Sequence, residues 1–181
     1  MTELQTDRLN LVPLTLEDVT LFHAMNTDAF VRKYLWDDEV IDPEESESML
    51  ERNEELFNES NYGLWKVVLK ESDDVIGYAG LWFFFNEPLP QLVYALKEEF
   101  TGQGYATEAS REVMAYAFNT LKFPFLLAAM DKPNSASHKV AQRLRMRHVE
   151  TSRQNERLTV FYRIDKAKFE EVQKEERDNK E

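Results

Sequence analysis

Five glycines occur in the 181 residues, and two of them, Gly102 and Gly104, stand one residue apart between an apolar run and a helical pattern. The run Leu92-Val93-Tyr94-Ala95-Leu96 reads as a buried strand. From Ala106 onward, Ala109, Val113, Tyr116, Ala117 and Leu121 recur on one side of a helix. A strand, a glycine turn and a helix start therefore follow in series from Gln91 to Leu121. The first turn of a helix carries unpaired backbone N–H groups and the positive end of the helix dipole, so it favours an anion such as a phosphate. Glycines let the backbone come close to that ligand, and the same two residues would equally serve a tight strand-to-helix connection.

A chain of this length is expected to form one domain with a sizeable core. Its composition, 43% hydrophobic and 12% aromatic, is globular, and no apolar run approaches the roughly 20 residues that cross a bilayer. Met1 to Arg8 lacks a basic segment followed by an apolar one, so a cytoplasmic protein is expected. With no cysteine in the sequence, disulfides, thiolate metal sites and a cysteine nucleophile are excluded, and no metal centre is expected. The net charge of −12 argues against nucleic acid or an anionic membrane as the main partner and favours cationic ones. Screening limits surface charge to about 8 Å at physiological salt, so a few aimed donors still suffice for a phosphate.

Taken in order, Leu9 to Val12 alternates as a strand and stops at Pro13. Thr15 to Asp18 resembles a helix cap, opening a helix with Val19, Phe22, His23 and Met25, where His23 reads as a satisfied boundary histidine. A short helix follows from Ala29 to Leu35. Asp42-Pro43 opens another, with Met49, Leu50, Asn53, Leu56 and Phe57 at helical spacing and its glutamates on a solvated face. Leu64 to Leu69 and Val75 to Phe84 form a hairpin, and Gln91 to Leu96 is a third antiparallel strand. The aromatic run Trp82 to Phe85 reads as a sheet face packed on helices, with an acceptor pocket as the other use. Phe125 to Met130 is an apolar strand expected to run parallel to Gln91–Leu96 through a right-handed crossover. Asp131 to Ser137 is a loop and cap before a helix with Val140, Ala141 and Leu144. His148 to Arg153 and Leu158 to Ile164 form a closing strand pair. Residues 1–165 then make one mixed α/β domain, and residues 166–181 a charged tail, a fraying helix or disordered, with Phe169 and Val172 as its anchors.

This order, with Thr101-Gly102-Gln103-Gly104-Tyr105-Ala106-Thr107-Glu108-Ala109 at its centre, resembles the GNAT superfamily of acetyl-CoA-dependent N-acetyltransferases. The likeness is greatest to the branch that acetylates the N-terminal amines of ribosomal proteins. It extends over about Thr6 to Ile164 and includes Thr6-Asp7-Arg8-Leu9-Asn10-Leu11, Val31-Arg32-Lys33-Tyr34-Leu35, Val75-Ile76-Gly77-Tyr78-Ala79-Gly80-Leu81 and Asn134-Ser135-Ala136-Ser137. The resemblance implies a mostly antiparallel mixed sheet with a central, splayed parallel strand pair and helices on both faces. It implies that Thr101, Gly102, Gln103, Gly104, Tyr105 and Ala106 hold the coenzyme A pyrophosphate, chiefly through backbone N–H groups. Val93, Tyr94, Ala95 and Leu96 would pair with the pantetheine amides, one of their N–H groups facing the oxyanion, and Asn134 would bond the pantetheine arm. Ser137 would sit at the thioester sulfur as the catalytic side chain, while helix capping alone would also explain Asn134 and Ser137.

Four positions depart from the family pattern. Thr101 stands where Gln or Arg is usual, Ala141 where many members carry a tyrosine acid, and Gln91 where a glutamate base is frequent. Leu144-Arg145-Met146 replaces Leu-Gly-Phe, which predicts an altered helix end. Without an evident base, a weakly basic amine is the suitable acceptor, because an α-amino group near 8 is partly neutral at pH 7 and a lysine or polyamine amine near 10.4 is not. The expected activity is acetyl transfer from acetyl-CoA to a primary amine, with a protein N-terminal α-amine the foremost candidate. The alternatives are a small-molecule or polyamine acetyltransferase and a non-catalytic coenzyme A sensor. The sequence leaves the oligomeric state open.

Overall fold

The computed structural model describes residues 1–85, 87–154 and 157–178. Asn86, between the expected strands Val75 to Phe84 and Gln91 to Leu96, and residues 179–181 of the expected tail lie outside the described residues. Two compact units make up the fold, Met1–Trp82 with Val93–Val113, and Phe83–Leu92 with Met114–Glu181.

In the first unit the strands grow from alternating patterns. β1 (Leu4–Gln5) and β2 (Leu9–Pro13) pair antiparallel, and β2 buries Leu9, Leu11 and Pro13 on one side. β3 (Leu64–Leu69) pairs antiparallel with β2 and with β4 (Val75–Trp82), and β5 (Gln91–Leu96) completes the order β1-β2-β3-β4-β5. A single 3-10 turn at Leu16–Asp18 leads into α1 (Val19–Thr27), followed by α2 (Ala29–Leu35) and α3 (Pro43–Ser60). The expected cap at Thr15 is present: Asp18 Oδ2 accepts from the Thr15 N–H at 3.1 Å, while Asp18 Oδ1 pairs with Lys66 Nζ at 2.7 Å. Leu14, Phe22, Met25, Leu50, Leu64, Tyr78 and Val93 form one buried cluster.

Two buried asparagines tie that core together. Asn53 Oδ1 accepts from the Leu64 N–H at 2.6 Å and its Nδ2 donates to the Leu14 carbonyl at 2.8 Å, fastening α3 to the sheet. Asn26 Oδ1 accepts from Tyr78 Oη and from Trp36 Nε1, both at 2.8 Å. Burial pushes the Tyr78 hydroxyl far above the usual phenol range, only partly offset by its bond to Asn26. His23 is satisfied as expected, its Nδ1 lying 2.9 Å from Ser46 Oγ.

In the second unit β6 (Phe125–Asp131), β7 (Arg147–Gln154) and β8 (Arg157–Asp165) form an antiparallel sheet in the order β6-β8-β7. The helix α4 (Tyr105–Asn119) begins in the first unit and ends in this one, which also holds α5 (Ser135–Arg143) and α6 (Lys166–Asp178). Phe169 and Val172 of α6 are buried, and the Phe169 ring lies 4.8 Å from that of Phe118.

Some elements differ from expectation. Strand β4 stops at Trp82, and Phe83, Phe84 and Phe85 are exposed. Four consecutive aromatics cannot all face one side of a pleated strand, so the run leaves the sheet, with Phe85 resting 5.8 Å from the Phe161 ring. The apolar strand β6 buries only alternate residues, Leu126, Ala128 and Met130. No ladder joins β5 to β6 among the described residues, and each ends its own sheet. Helix α4 stops before Leu121, ended by Lys122 in the left-handed region at φ 62°. No helix among the described residues is long and apolar enough to cross a membrane, and no group of three or more potential metal ligands is found among them.

Candidate functional site

The glycine turn takes the geometry its residues allow. Gly102 and Gly104 have φ 75° and 87°, a region that glycine enters without steric cost. A 3-10 turn at Glu98–Phe100 precedes them, and α4 starts at Tyr105, its first bond running from the Glu108 N–H to the Gly104 carbonyl at 3.0 Å. A Cβ on Gly102 would meet nothing within 4 Å, and one on Gly104 only Arg8 Nη2 at 3.5 Å. The turn is thus open on its outer side, and its φ values exclude side chains more strongly than crowding does. An anion of phosphate size fits a helix start of this kind.

The predicted residues of the turn divide by how their polar groups are engaged. The Thr101 N–H donates to the Glu98 carbonyl at 3.0 Å and its hydroxyl donates to the same oxygen at 2.8 Å. Both groups hold the turn closed, which accounts for a Thr where a longer polar residue is usual. Gln103 Nε2 donates to the Glu99 carbonyl at 3.1 Å, so this side chain also braces the loop. Gly102, Gly104 and Ala106 carry no polar side chain, and the Tyr105 ring lies beneath the Arg8 guanidinium.

Arg8, Thr6 and Glu108, none of them an expected site residue, form a bonded group against the glycine turn. Arg8 Nε lies 2.7 Å and Nη2 2.6 Å from Glu108 Oε2, and Arg8 Nη1 donates to the Gln103 carbonyl at 3.2 Å. Thr6 Oγ1 donates to Glu108 Oε1 at 2.5 Å, and the guanidinium sits 4.3 Å over the Tyr105 ring. Burial of Glu108 works to raise its pKa, but the bonds from Thr6 and Arg8 outweigh it and hold the carboxyl below its usual value. The signal available in sequence was an acid in the first turn of α4 and a single arginine before β2. Nothing local joins them.

In β5, Val93 and Leu96 are buried and Val93 belongs to the core cluster, so only their backbone is available to a ligand. Tyr94 and Ala95 are half-buried. Gln91, at the strand start, is fully buried, and its Nε2 donates to Glu87 Oε1, while the Phe85 N–H donates to Glu87 Oε2 at 2.9 Å. A neutral amide there cannot take a proton from an amine.

Asn134 is the N-cap of α5, its Oδ1 accepting from the Ser137 N–H at 3.1 Å. The cap holds Ser137 in the first turn, half-buried. His138 Nε2 lies 3.0 Å from the Lys132 carbonyl and Nδ1 3.0 Å from Tyr162 Oη, which fixes the loop before the cap. Since a carbonyl only accepts, His138 Nε2 is the donor to Lys132. Ala141 is buried in the core, and no tyrosine acid stands at that position.

Arg145 corrects one expectation. It adopts φ 60°, and the bonds Arg145 N–H to Gln142 O and Met146 N–H to Ala141 O, both 3.0 Å, are those of a Schellman end. The helix end is therefore the ordinary left-handed one, made without glycine.

The chain matches the Acetyltransferase (GNAT) domain over residues 8–147. It is 30% identical over 168 residues to the protein YkkB of Bacillus subtilis (strain 168), covering 90% of this chain and 95% of that one. It is 28% identical over 145 residues to the N-acetyltransferase p20 of Bacillus licheniformis, covering 80% of this chain and 82% of that one. Its fold is shared, with TM-score 0.75 and 20% identity over 91% of this chain and 98% of the other, by RimL, a ribosomal L7/L12 α-N-protein acetyltransferase solved in complex with coenzyme A. The glycine turn at the head of α4, the strand order and these matches agree, and the chain belongs to the GNAT acetyltransferase family as an N-acetyltransferase with acetyl-CoA as its cosubstrate.

Proposed function

We propose that this enzyme transfers the acetyl group of acetyl-CoA directly to the α-amine of a protein or peptide N-terminus. The observation that carries the cosubstrate half is the open, left-handed turn at Gly102 and Gly104 opening α4. In this reading the N–H groups from Gly102 to Ala106 receive the pyrophosphate, with Thr101 closing the turn behind them. Backbone groups of Val93, Tyr94, Ala95 and Leu96 take the pantetheine amides as a neighbouring strand would. Asn134 orients the pantetheine arm while capping α5.

The chemistry follows from what these groups supply. Binding sets the thioester carbonyl against the amine nitrogen, which reduces the entropic part of the barrier. As the C–N bond forms, negative charge builds on the carbonyl oxygen, and a backbone N–H near Tyr94 to Leu96 faces it. As the C–S bond breaks, the Ser137 hydroxyl donates a hydrogen bond to the sulfur. The attacking amine, having lost one proton already in solution, sheds the second to water, and the thiolate is protonated in turn. With Gln91 and Ala141 unable to act as base or acid, the reaction depends on the amine arriving neutral. That condition favours an α-amine over a lysine or polyamine amine by roughly 2 pKa units. The likeness to an α-N-protein acetyltransferase supports the same choice.

Coenzyme A release measured at pH 7 with a panel of acceptors tests the reading. Peptides with a free N-terminus should turn over, the same peptides blocked at the N-terminus should not, and spermidine should be slower by at least about tenfold. Faster turnover of spermidine than of any peptide would show that the acceptor is a small polyamine instead.

A further inference from the structure

The backbone around Arg8 is fixed before its side chain does anything. The connection between β1 and β2 is closed by the bond from the Thr6 N–H to the Leu9 carbonyl at 2.9 Å, and the Arg8 carbonyl accepts from the Lys70 N–H at 3.0 Å. From this anchored position the guanidinium divides its donors. Nε and Nη2 hold Glu108, and Nη1 holds the carbonyl of Gln103. The plane also covers the Tyr105 ring, so its orientation is set from three sides.

The bond to Gln103 has a geometric consequence for the next residue. In a trans peptide the C=O and the N–H of the following residue point in opposite directions. When Arg8 fixes the Gln103 oxygen toward itself, the N–H of Gly104 is turned the other way. Gly104 is the residue whose own freedom is greatest, at φ 87°, and whose peptide would otherwise swing.

We infer that Arg8, held by Glu108, is a positioning residue for acetyl-CoA: by fixing the Gln103–Gly104 peptide it presents the Gly104 N–H to the cosubstrate's pyrophosphate without touching the ligand. The inference rests on the proposed placement of the pyrophosphate at residues 102–106. It assigns to the N-terminal Arg8 a function in the site that an exposed ion pair alone would not have, since such pairs contribute little to stability. The gain is preorganisation, which lowers the cost of ordering the turn when the ligand arrives.

Lysine separates this role from that of a staple. An ammonium can keep the charge pair with Glu108, but as a single point donor it cannot also hold the Gln103 carbonyl in the fork geometry of a guanidinium. In Arg8→Lys the KM for acetyl-CoA should rise about tenfold with kcat within about twofold, as for a lost binding contact. The thermal midpoint should stay within about 2 °C. Turnover of S-acetylpantetheine, which lacks the pyrophosphate, should be the same in both proteins. An unchanged KM for acetyl-CoA, or an equal loss with S-acetylpantetheine, would overturn the assignment.

Should Arg8→Lys prove poorly folded, the exchange Arg8→Glu with Glu108→Arg restores the pair from the opposite side. It should recover stability relative to Arg8→Glu and leave the KM high, whereas recovery of both reduces Arg8 to a staple. Calorimetry of the unmodified protein with coenzyme A keeps the two levels apart. Absence of binding there removes the pyrophosphate placement itself, whereas normal binding that Arg8→Lys leaves untouched removes only the role of Arg8.

Discussion

Arg145 stands at φ 60°, where its Cβ crowds the neighbouring backbone, and the Schellman bonds around it show that the helix end requires this conformation. Its side chain is exposed, so removing it should relieve the backbone without loss of packing. Arg145→Gly should stabilise the protein by about 0.5–1 kcal/mol, the strain relieved being partly offset by the freer unfolded chain. Chemical denaturation would show it as a higher midpoint at an unchanged slope. The same residue shows how far a motif can be read as geometry: the missing glycine suggested a different helix end, but the conformation persists and only its energy differs. Thr101 is a second such case. Its substitution for a longer polar residue leaves the turn closed, by two bonds to Glu98.

Among the elements, β4 and β5 depend on a residue whose value is the space it leaves. A Cβ on Gly77 would fall 2.8 Å from Leu96 Cα and closer still to the Ala95 carbonyl, so β5 lies against bare backbone there. Gly77→Ala should cost about 1–3 kcal/mol through overpacking. Because the displaced strand carries Val93 to Leu96, coenzyme A affinity measured by calorimetry should fall as well. An affinity unchanged at reduced stability would detach β5 from the pantetheine. Element identities are legible in this chain because period and punctuation agree: Pro43 opens α3, the alternation from Leu9 to Val12 makes β2, and the glycines precede α4. The end of β4 is not legible, since Phe83 and Phe84 have the composition of a strand and only tertiary placement exposes them.

For the whole molecule, the net charge of −12 acts on the two substrates in opposite senses. Acetyl-CoA is an anion and is repelled at long range, while a basic peptide is attracted. Raising salt from about 20 to 200 mM should therefore lower the KM for acetyl-CoA and raise that for a lysine-rich acceptor peptide, each by about two- to fivefold as screening tightens. Steady-state kinetics at several salt concentrations reads both, and parallel shifts would mean that net charge does not steer either substrate. The proposed cosubstrate contacts, Thr101 to Ala106 in one run and Asn134 to Ser137 in another, are neighbours in sequence, which is the form in which a motif is legible. The pairing of Arg8 with Glu108 is not legible in that way, because each is an ordinary surface residue until the fold brings them together.

That pairing joins residues 100 positions apart, and its separation has a kinetic meaning. Closing a loop of this size costs about 4 kcal/mol of chain entropy on logarithmic scaling, so the contact forms only after the intervening sheet has done so. The glycine turn is local and can coil early, but its carbonyl finds Arg8 late. Fraying of the first two strands would then release the Gln103 carbonyl while α4 remains helical, so that local unfolding of the N-terminal segment would loosen the glycine turn.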